Sequence, residues 1–256
     1  MAIHPTAIIE SGAVIDPSVE IGPYAYIGAR VRLGAGCVVH HHATVDGNTQ
    51  MGTGNIVSPY AFVGGKTQDL KYRGGEPGLR IGDNNTFREF CTVHCATPAD
   101  GCTVIGNHNY FLSYAHIAHD CVVGNHIIMS NNGTLGGHVV VEDHAIVGGL
   151  TAIHQFCRVG QYAMIGGCAK VVQDVPPFMT AEGNPCEVRT FNKVGLERAG
   201  YTEEQIRLVR HIYKTLYRDG LNRTQAVERL KEGPDAGSTL VQAMLDFIAA
   251  SQRGLC

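Results

Sequence analysis

Residues 105–171 read IGNHNYFLSYAHIAHDCVVGNHIIMSNNGTLGGHVVVEDHAIVGGLTAIHQFCRVGQYAMIGGCAKV, and an apolar residue returns at every sixth position from the first residue to the last. The same register extends back to Ile3, with breaks between Val63 and Ile81 and at Ala99. A small residue often stands two positions before the apolar one, and glycine often follows it. This hexapeptide period predicts a parallel β-helix, in which each hexad forms one short strand with its apolar side chain inside.

The register also predicts where the coil is interrupted and where it ends. Gly, Pro and charged residues crowd the segments near 64–80 and 95–102, so we expect both to leave the coil as loops, where function concentrates. Beyond residue 174 the apolar pattern becomes helical, and Thr202-Glu203-Glu204-Gln205 fits a capping box. We therefore predict a β-helix over 1–174 and a C-terminal helical domain over 175–256.

Composition excludes several classes of protein. The 256 residues carry a net charge of −3, which argues against general nucleic-acid binding because that needs a concentrated basic surface. No run approaches the roughly 18 to 20 apolar residues of a membrane span, and the first residues lack the pattern of a signal peptide. Nine cysteines form no zinc-binding spacing. We expect free thiols in a reducing compartment and therefore a cytoplasmic protein.

Polar residues gather at one edge of the predicted coil. Three hexads close one turn, so residues about eighteen apart stack at the spacing of neighbouring strands. His119, Gly137 and Gln155 share one column, and Asp120 and His138 share the next. A histidine beside a carboxylate is suited to accept a proton from a hydroxyl group. A glycine N–H group is suited to bind the oxyanion that forms when a thioester is attacked.

Four segments carry a resemblance to a known family: AHIAHDC at 115–121, NNGTLGGH at 131–138, HQF at 154–156 and QDVPP at 173–177. In this order they resemble the UDP-N-acetylglucosamine O-acyltransferases of lipid A biosynthesis, hexapeptide-repeat enzymes with a left-handed parallel β-helix. The resemblance covers essentially the whole chain. It implies a homotrimer that moves a 3-hydroxyacyl chain from acyl carrier protein to the 3-position of UDP-N-acetylglucosamine. It also implies direct attack on the thioester, with no metal and no cofactor.

The resemblance implies a role for each matching residue. His119 would be the general base, Asp120 its orienting carboxylate and the Gly137 N–H group the oxyanion donor. Of the implied substrate-binding residues, Asp69 and Lys71 would hold the sugar and phosphate side, and His116 and His138 would line the site. The nucleotide would be held by His154, Gln155, Asn192 and Arg198. Gly167 and Met164 would set the length of the acyl chain.

Several alternatives stay open. Some relatives acylate a 3-amino sugar and form an amide, and this chain departs from the family pattern at Cys95-Ala96 and Val194. A γ-type carbonic anhydrase shares the β-helix, but it needs two zinc-binding histidines five residues apart, a spacing that this sequence lacks. A non-catalytic β-helix is disfavoured by the grouping of His119, Asp120 and Gly137.

Overall fold

A computed structural model describes residues 2–256, and Met1, the first residue of the predicted coil region, lies outside the described residues. The first strands are β1 (Ala2–Ile3), β2 (Ile8–Ile9), β3 (Val14–Ile15), β4 (Glu20–Ile21), β5 (Tyr26–Ile27), β6 (Arg32–Leu33), β7 (Val38–Val39), β8 (Thr44–Val45), β9 (Asn48–Met51), β10 (Ile56–Val57) and β11 (Phe62–Gly65). The next are β12 (Gly78–Ile81), β13 (Thr86–Phe87), β14 (Thr92–His94), β15 (Cys102–Ile105), β16 (Tyr110–Phe111), β17 (His116–Ile117), β18 (Val122–Val123), β19 (Ile128–Met129) and β20 (Thr134–Leu135). The last are β21 (Val140–Val141), β22 (Ile146–Val147), β23 (Ala152–Ile153), β24 (Arg158–Val159), β25 (Met164–Ile165), β26 (Lys170–Val171), β27 (Met179–Glu182) and β28 (Glu187–Phe191).

Strands β1 to β26 form three parallel sheets that wind around one core. Sheet A begins β1-β4-β7, sheet B begins β2-β5-β8, and sheet C contains β3, β6 and every third strand up to β24. Because every third strand returns to the same sheet, each coil has three faces. The residues at the repeating position point inward, and from Ile21 onward those in the strands of the coil are buried. The predicted parallel β-helix is confirmed.

A ladder of buried asparagines runs inside the coil and was not predicted. Asn55, Asn85 and Asn109 are each at most 2% exposed. The Asn55 Oδ1 atom accepts hydrogen bonds from the backbone and side chain of Asn85, and the Asn85 Oδ1 atom accepts one from the backbone of Asn109. Each amide group also donates to a carbonyl in the following turn, as Asn85 does to Gly106 at 3.0 Å. The ladder satisfies polar groups that the apolar core cannot.

We expect Asn85→Ala to destabilise the protein because it leaves the Asn109 N–H group and the Gly106 carbonyl buried without partners. The expected loss in the free energy of unfolding is on the order of 3 kcal/mol, measured by urea denaturation. Asn131→Ala is the matched control, since Asn131 is exposed. Equal midpoints for the two variants would show that the ladder contributes little to stability.

Two loops leave the coil and return in register. The first spans 66–77 between β11 and β12, and the second spans 95–101 between β14 and β15, so the predicted ranges 64–80 and 95–102 are slightly too long. Their outer residues belong to strands, because pairing extends to Gly65 and begins again at Gly78. Paired residues lie eighteen apart elsewhere in the coil, but 30 apart across the first loop and 24 apart across the second. The loops therefore add whole hexads.

The region 175–256 begins with strands rather than helices. Strand β27 extends sheet A in parallel with β25, and β28 pairs with β27 in the antiparallel sense. The helices are α1 (Lys193–Arg198), α2 (Glu203–Tyr217), α3 (Arg223–Glu232) and α4 (Thr239–Ala250). Thr202 caps α2 in the predicted capping box with Gln205. None of the helices within residues 2–256 has the length and apolar character needed to cross a membrane.

Candidate active site

His119 and Asp120 form a hydrogen-bonded pair just after β17. The His119 Nδ1 atom lies 2.8 Å from Asp120 Oδ2, and the two side chains are only 13% and 10% exposed. The carboxylate also accepts a hydrogen bond from the Thr97 N–H group at 3.1 Å, and the Asp120 N–H group donates to Thr103 Oγ1 at 2.8 Å. The carboxylate favours a proton on Nδ1, which leaves the Nε2 lone pair available to accept another.

Gly137 lies one coil further on, against the imidazole of His119. A Cβ atom at Gly137 would lie 2.6 Å from His119 Nε2, so only glycine fits beside the ring. His138 follows, and its Nε2 atom lies 3.7 Å from Asp120 Oδ2. The His138 ring stacks on Phe156 with centroids 4.6 Å apart and meets the His119 ring at 89°. The two predicted columns therefore bring His119, Asp120, Gly137 and His138 together.

The same side chains offer possible metal ligands. Ligand atoms of His119, Asp120 and His138 all lie within 4.8 Å of one another. Two histidines and a carboxylate are a common ligand set for transition metals. The expectation of metal-free chemistry therefore stays a prediction.

His116 lies beside a buried histidine, His94, that sequence analysis did not assign to the site. The His116 Nδ1 atom is 2.7 Å from Thr92 Oγ1, and the rings of His116 and His94 meet edge to face at 5.1 Å. Burial, together with the neighbouring histidines His116 and His119, lowers the pKa of His94 to about 4. Burial also lowers the pKa of His116. Both rings are therefore neutral near pH 7.

The two loops enclose a cavity next to the histidines. Its volume is about 580 Å³, and its lining includes Asp69, Lys71 and Arg73 from the first loop and His138 from the coil. Lining residues that sequence analysis did not assign to the site are Arg73, Gly74, Gly75, Thr97, Pro98 and Ala99. A hydrogen bond of 2.7 Å between the hydroxyl groups of Thr67 and Thr97 joins the loops. The structure thus brings Asp69 and Lys71 to the same cavity as His138.

The departure at Cys95-Ala96 directly precedes Thr97 but does not form part of the cavity lining. Cys95 is 3% exposed and Ala96 is fully buried, and neither lines the cavity. Burial raises the pKa of the Cys95 thiol to about 11. These residues therefore serve packing beneath the second loop.

His154 and Gln155 lie on the coil after Gly137, and both are exposed. Asn192 and Arg198 lie instead at the two ends of α1. Asn192 caps that helix by accepting a hydrogen bond from the Gly195 N–H group, and its amide donates to the Tyr162 carbonyl at 2.9 Å. Within residues 2–256, no hydrogen bond or ion pair joins Asn192 or Arg198 to His119 or His154. Their role toward a nucleotide stays a prediction.

The predicted acyl-length residues lie at a different corner of the coil. Met164 belongs to β25 in sheet A, and Gly167 follows that strand at the corner between sheets A and B. His119 follows β17 of sheet B at the corner between sheets B and C. Within one chain, Gly167 and His119 therefore do not share a corner.

Comparison with known proteins gives one consistent result. A family model described as UDP N-acetylglucosamine O-acyltransferase, domain 2, matches residues 174–256. Two relatives are named acyl-[acyl-carrier-protein]–UDP-N-acetylglucosamine O-acyltransferase. The protein from Paraburkholderia phymatum is 47% identical over 99% of this chain and 98% of its own. The protein from Anaeromyxobacter dehalogenans is 48% identical over 100% of this chain and 99% of its own.

Solved structures agree with these relatives. LpxA from Acinetobacter baumannii superposes with a TM-score of 0.96 at 42% identity, over 100% of this chain and 99% of that one. The Arabidopsis UDP-N-acetylglucosamine acyltransferase has a TM-score of 0.87 at 37% identity, over 99% of both chains. This chain therefore belongs to the UDP-N-acetylglucosamine O-acyltransferase family of acyltransferases.

Proposed function

We propose that this enzyme transfers a 3-hydroxyacyl chain from acyl carrier protein to the 3-hydroxyl group of UDP-N-acetylglucosamine, the first step of lipid A biosynthesis. The observation that carries the proposal is the hydrogen-bonded, largely buried pair of His119 and Asp120, with Gly137 against the imidazole ring. The nine free cysteines support a reducing compartment, the cytoplasm. No metal or cofactor takes part in the proposed reaction.

In the proposed mechanism, His119 Nε2 removes the proton from the sugar hydroxyl as its oxygen attacks the thioester carbonyl carbon. Asp120 keeps the ring oriented and stabilises the imidazolium that forms. The carbonyl oxygen becomes an oxyanion, which accepts a hydrogen bond from the Gly137 N–H group. Collapse of this intermediate breaks the carbon–sulfur bond, and the imidazolium returns the proton to the departing thiolate. No acyl-enzyme forms.

The backbone around Gly137 supports its role as the oxyanion donor. The Gly136 N–H group donates to the Ile153 carbonyl, and the His138 N–H group donates to the His119 carbonyl. The Gly137 N–H group between them makes no hydrogen bond with any part of the described chain, residues 2–256. It is therefore available to a ligand beside His119.

We further propose that the active enzyme is a homotrimer with its sites between neighbouring protomers. Gly167 occupies a different corner from His119, and neither Asn192 nor Arg198 is bonded to the histidine cluster. One groove can contain all of these residues only if two chains pack side by side, as in a closed symmetric assembly. Sedimentation of the purified enzyme tests this proposal, and a monomer that retains full activity contradicts it.

The helical domain is the proposed docking surface for acyl carrier protein. Lys193, Arg210, Lys214 and Arg218 surround a cavity of about 520 Å³ between β28 and α2. Such a basic surface would attract an acidic carrier protein and speed its association at low salt. This proposal agrees with the acyl donor implied by the names of the relatives.

Mass spectrometry of the reaction tests the proposed substrates. The enzyme is incubated with 3-hydroxyacyl carrier protein and UDP-N-acetylglucosamine, and the product is treated with mild alkali. An acylated sugar nucleotide that alkali cleaves supports the ester, whereas an alkali-stable product formed only with the 3-amino analogue supports the amide. Stoichiometric zinc together with carbon dioxide hydration would overturn the acyltransferase mechanism in favour of the carbonic anhydrase alternative.

Gly167→Met is expected to shift selectivity toward shorter acyl donors. Gly167 is exposed, and a Cβ atom there would lie 3.2 Å from the Gly149 carbonyl oxygen, so a longer side chain must extend away from the coil into the proposed groove. Competition between carrier proteins bearing chains of different length measures the effect. Unchanged selectivity would show that Gly167 does not limit the chain.

A further inference from the structure

Segment 251–256 is held firmly against the last coil by Asp174. This carboxylate is fully buried, and it accepts hydrogen bonds from the Ser251 hydroxyl group at 2.6 Å and from the Arg158 N–H group at 2.7 Å. The Asp174 backbone donates to the Gly254 carbonyl and accepts from the Cys256 N–H group. These bonds fix the path of the segment on both sides of Arg253.

Arg253 extends from this segment to His154. Its Nη2 atom lies 3.2 Å from His154 Nδ1, across 99 positions of sequence. The same Nδ1 atom lies 3.1 Å from the Gln155 carbonyl oxygen. The two neighbours require opposite states of the ring. A guanidinium group only donates, so Nδ1 must accept with its lone pair, whereas the carbonyl only accepts and requires a proton on Nδ1.

We propose that Arg253 is a positioning residue that selects the tautomer of His154. With Nδ1 accepting from Arg253, the proton of the neutral ring lies on Nε2, which becomes a hydrogen-bond donor. Such a donor fits an oxygen acceptor, of which a nucleotide offers many in its phosphates, ribose and base. This inference rests on the proposed function, which assigns His154 to the nucleotide side of the substrate.

Nitrogen-15 NMR of the full-length enzyme, labelled at histidine, reads the tautomer directly. The His154 signals are assigned by their loss in His154→Asn. In the unsubstituted enzyme we expect the proton on Nε2, and in Arg253→Met we expect it on Nδ1, donating to the Gln155 carbonyl. Arg253→Lys should retain the Nε2 proton, because an ammonium group also only donates.

Kinetics test the consequence for binding. Arg253→Met should raise KM for the sugar nucleotide about tenfold, the effect of losing one well-oriented hydrogen bond, with kcat changed less than about twofold. Gln252→Ala is the matched control, since Gln252 is the exposed neighbour in the same segment and makes no hydrogen bond among the described residues. It should change neither KM nor the tautomer.

The two readouts separate this inference from the proposed function. An enzyme that does not acylate the sugar nucleotide contradicts the proposed function, while the NMR measurement still decides the tautomer. An unchanged His154 tautomer in Arg253→Met overturns the inference, even in a fully active enzyme. A changed tautomer with an unchanged KM also overturns it, because His154 would then not use its donor on the substrate.

Discussion

His119→Ala is expected to lower kcat/KM by a factor of about 10² to 10⁴, the usual contribution of a general base. The substitution removes the Nε2 atom that accepts the proton from the attacking hydroxyl group. It also leaves Asp120 with one hydrogen-bond partner fewer, although the Thr97 N–H group still donates to its carboxylate. Steady-state kinetics with 3-hydroxyacyl carrier protein and the sugar nucleotide measure the loss in kcat/KM.

His108→Ala is the matched control for this experiment. His108 stacks on His126 with ring centroids 5.0 Å apart at a different corner of the coil, away from the cavity. Its removal should leave kcat/KM unchanged. A His119→Ala enzyme that keeps its thermal stability and also its full acyltransferase activity would contradict the proposed role of His119 as general base.

Gly137→Ala is expected to reduce kcat by about 10² or more, comparable to the loss of an oxyanion donor. The added methyl group would lie 2.6 Å from His119 Nε2, so the imidazole must rotate or move away from Gly137. The alanine keeps its N–H group, but the base and the oxyanion donor then no longer face the same reacting atoms. Single-turnover kinetics with carrier protein that already bears its 3-hydroxyacyl chain isolate this effect on the chemical step.

Gly237→Ala supplies the comparison for Gly137→Ala. A Cβ atom at Gly237 would meet no atom within 4 Å, so this variant tests the loss of glycine without a clash. It should keep full activity. If Gly137→Ala also keeps full activity, the distance between the imidazole ring and the Gly137 N–H group does not control the reaction.

The period of six predicted most of the coil because one apolar position in each hexad faces a continuous core. The eighteen-residue spacing likewise predicted that His119 and Gly137 stack, since no loop lies between them. It failed for His94, because the second loop raises the spacing between Thr92 and His116 to 24. A search for residues 24 apart would have aligned His94 with the column before His119.

Contacts made by the two loops and by segment 251–256 could not be predicted from the six-residue period. Thr97 joins the site through its backbone N–H group, and a backbone group has no signature in sequence. Arg253 reaches His154 only because Asp174 holds segment 251–256, a contact between distant parts of the chain. The strand pair β27 and β28 was missed because it pairs in the antiparallel sense, without hexads.

The loops at 66–77 and 95–101 both leave the coil after a strand of sheet B and enter it again at a strand of sheet C. A loop that adds a whole number of hexads leaves the inward orientation of every later side chain unchanged. The loops that line the cavity can therefore vary without a change in the packing of the β-helix. In this architecture, a substrate pocket can be gained or lost by exchanging one loop, provided that the exchange changes the spacing between paired strands by a multiple of six residues.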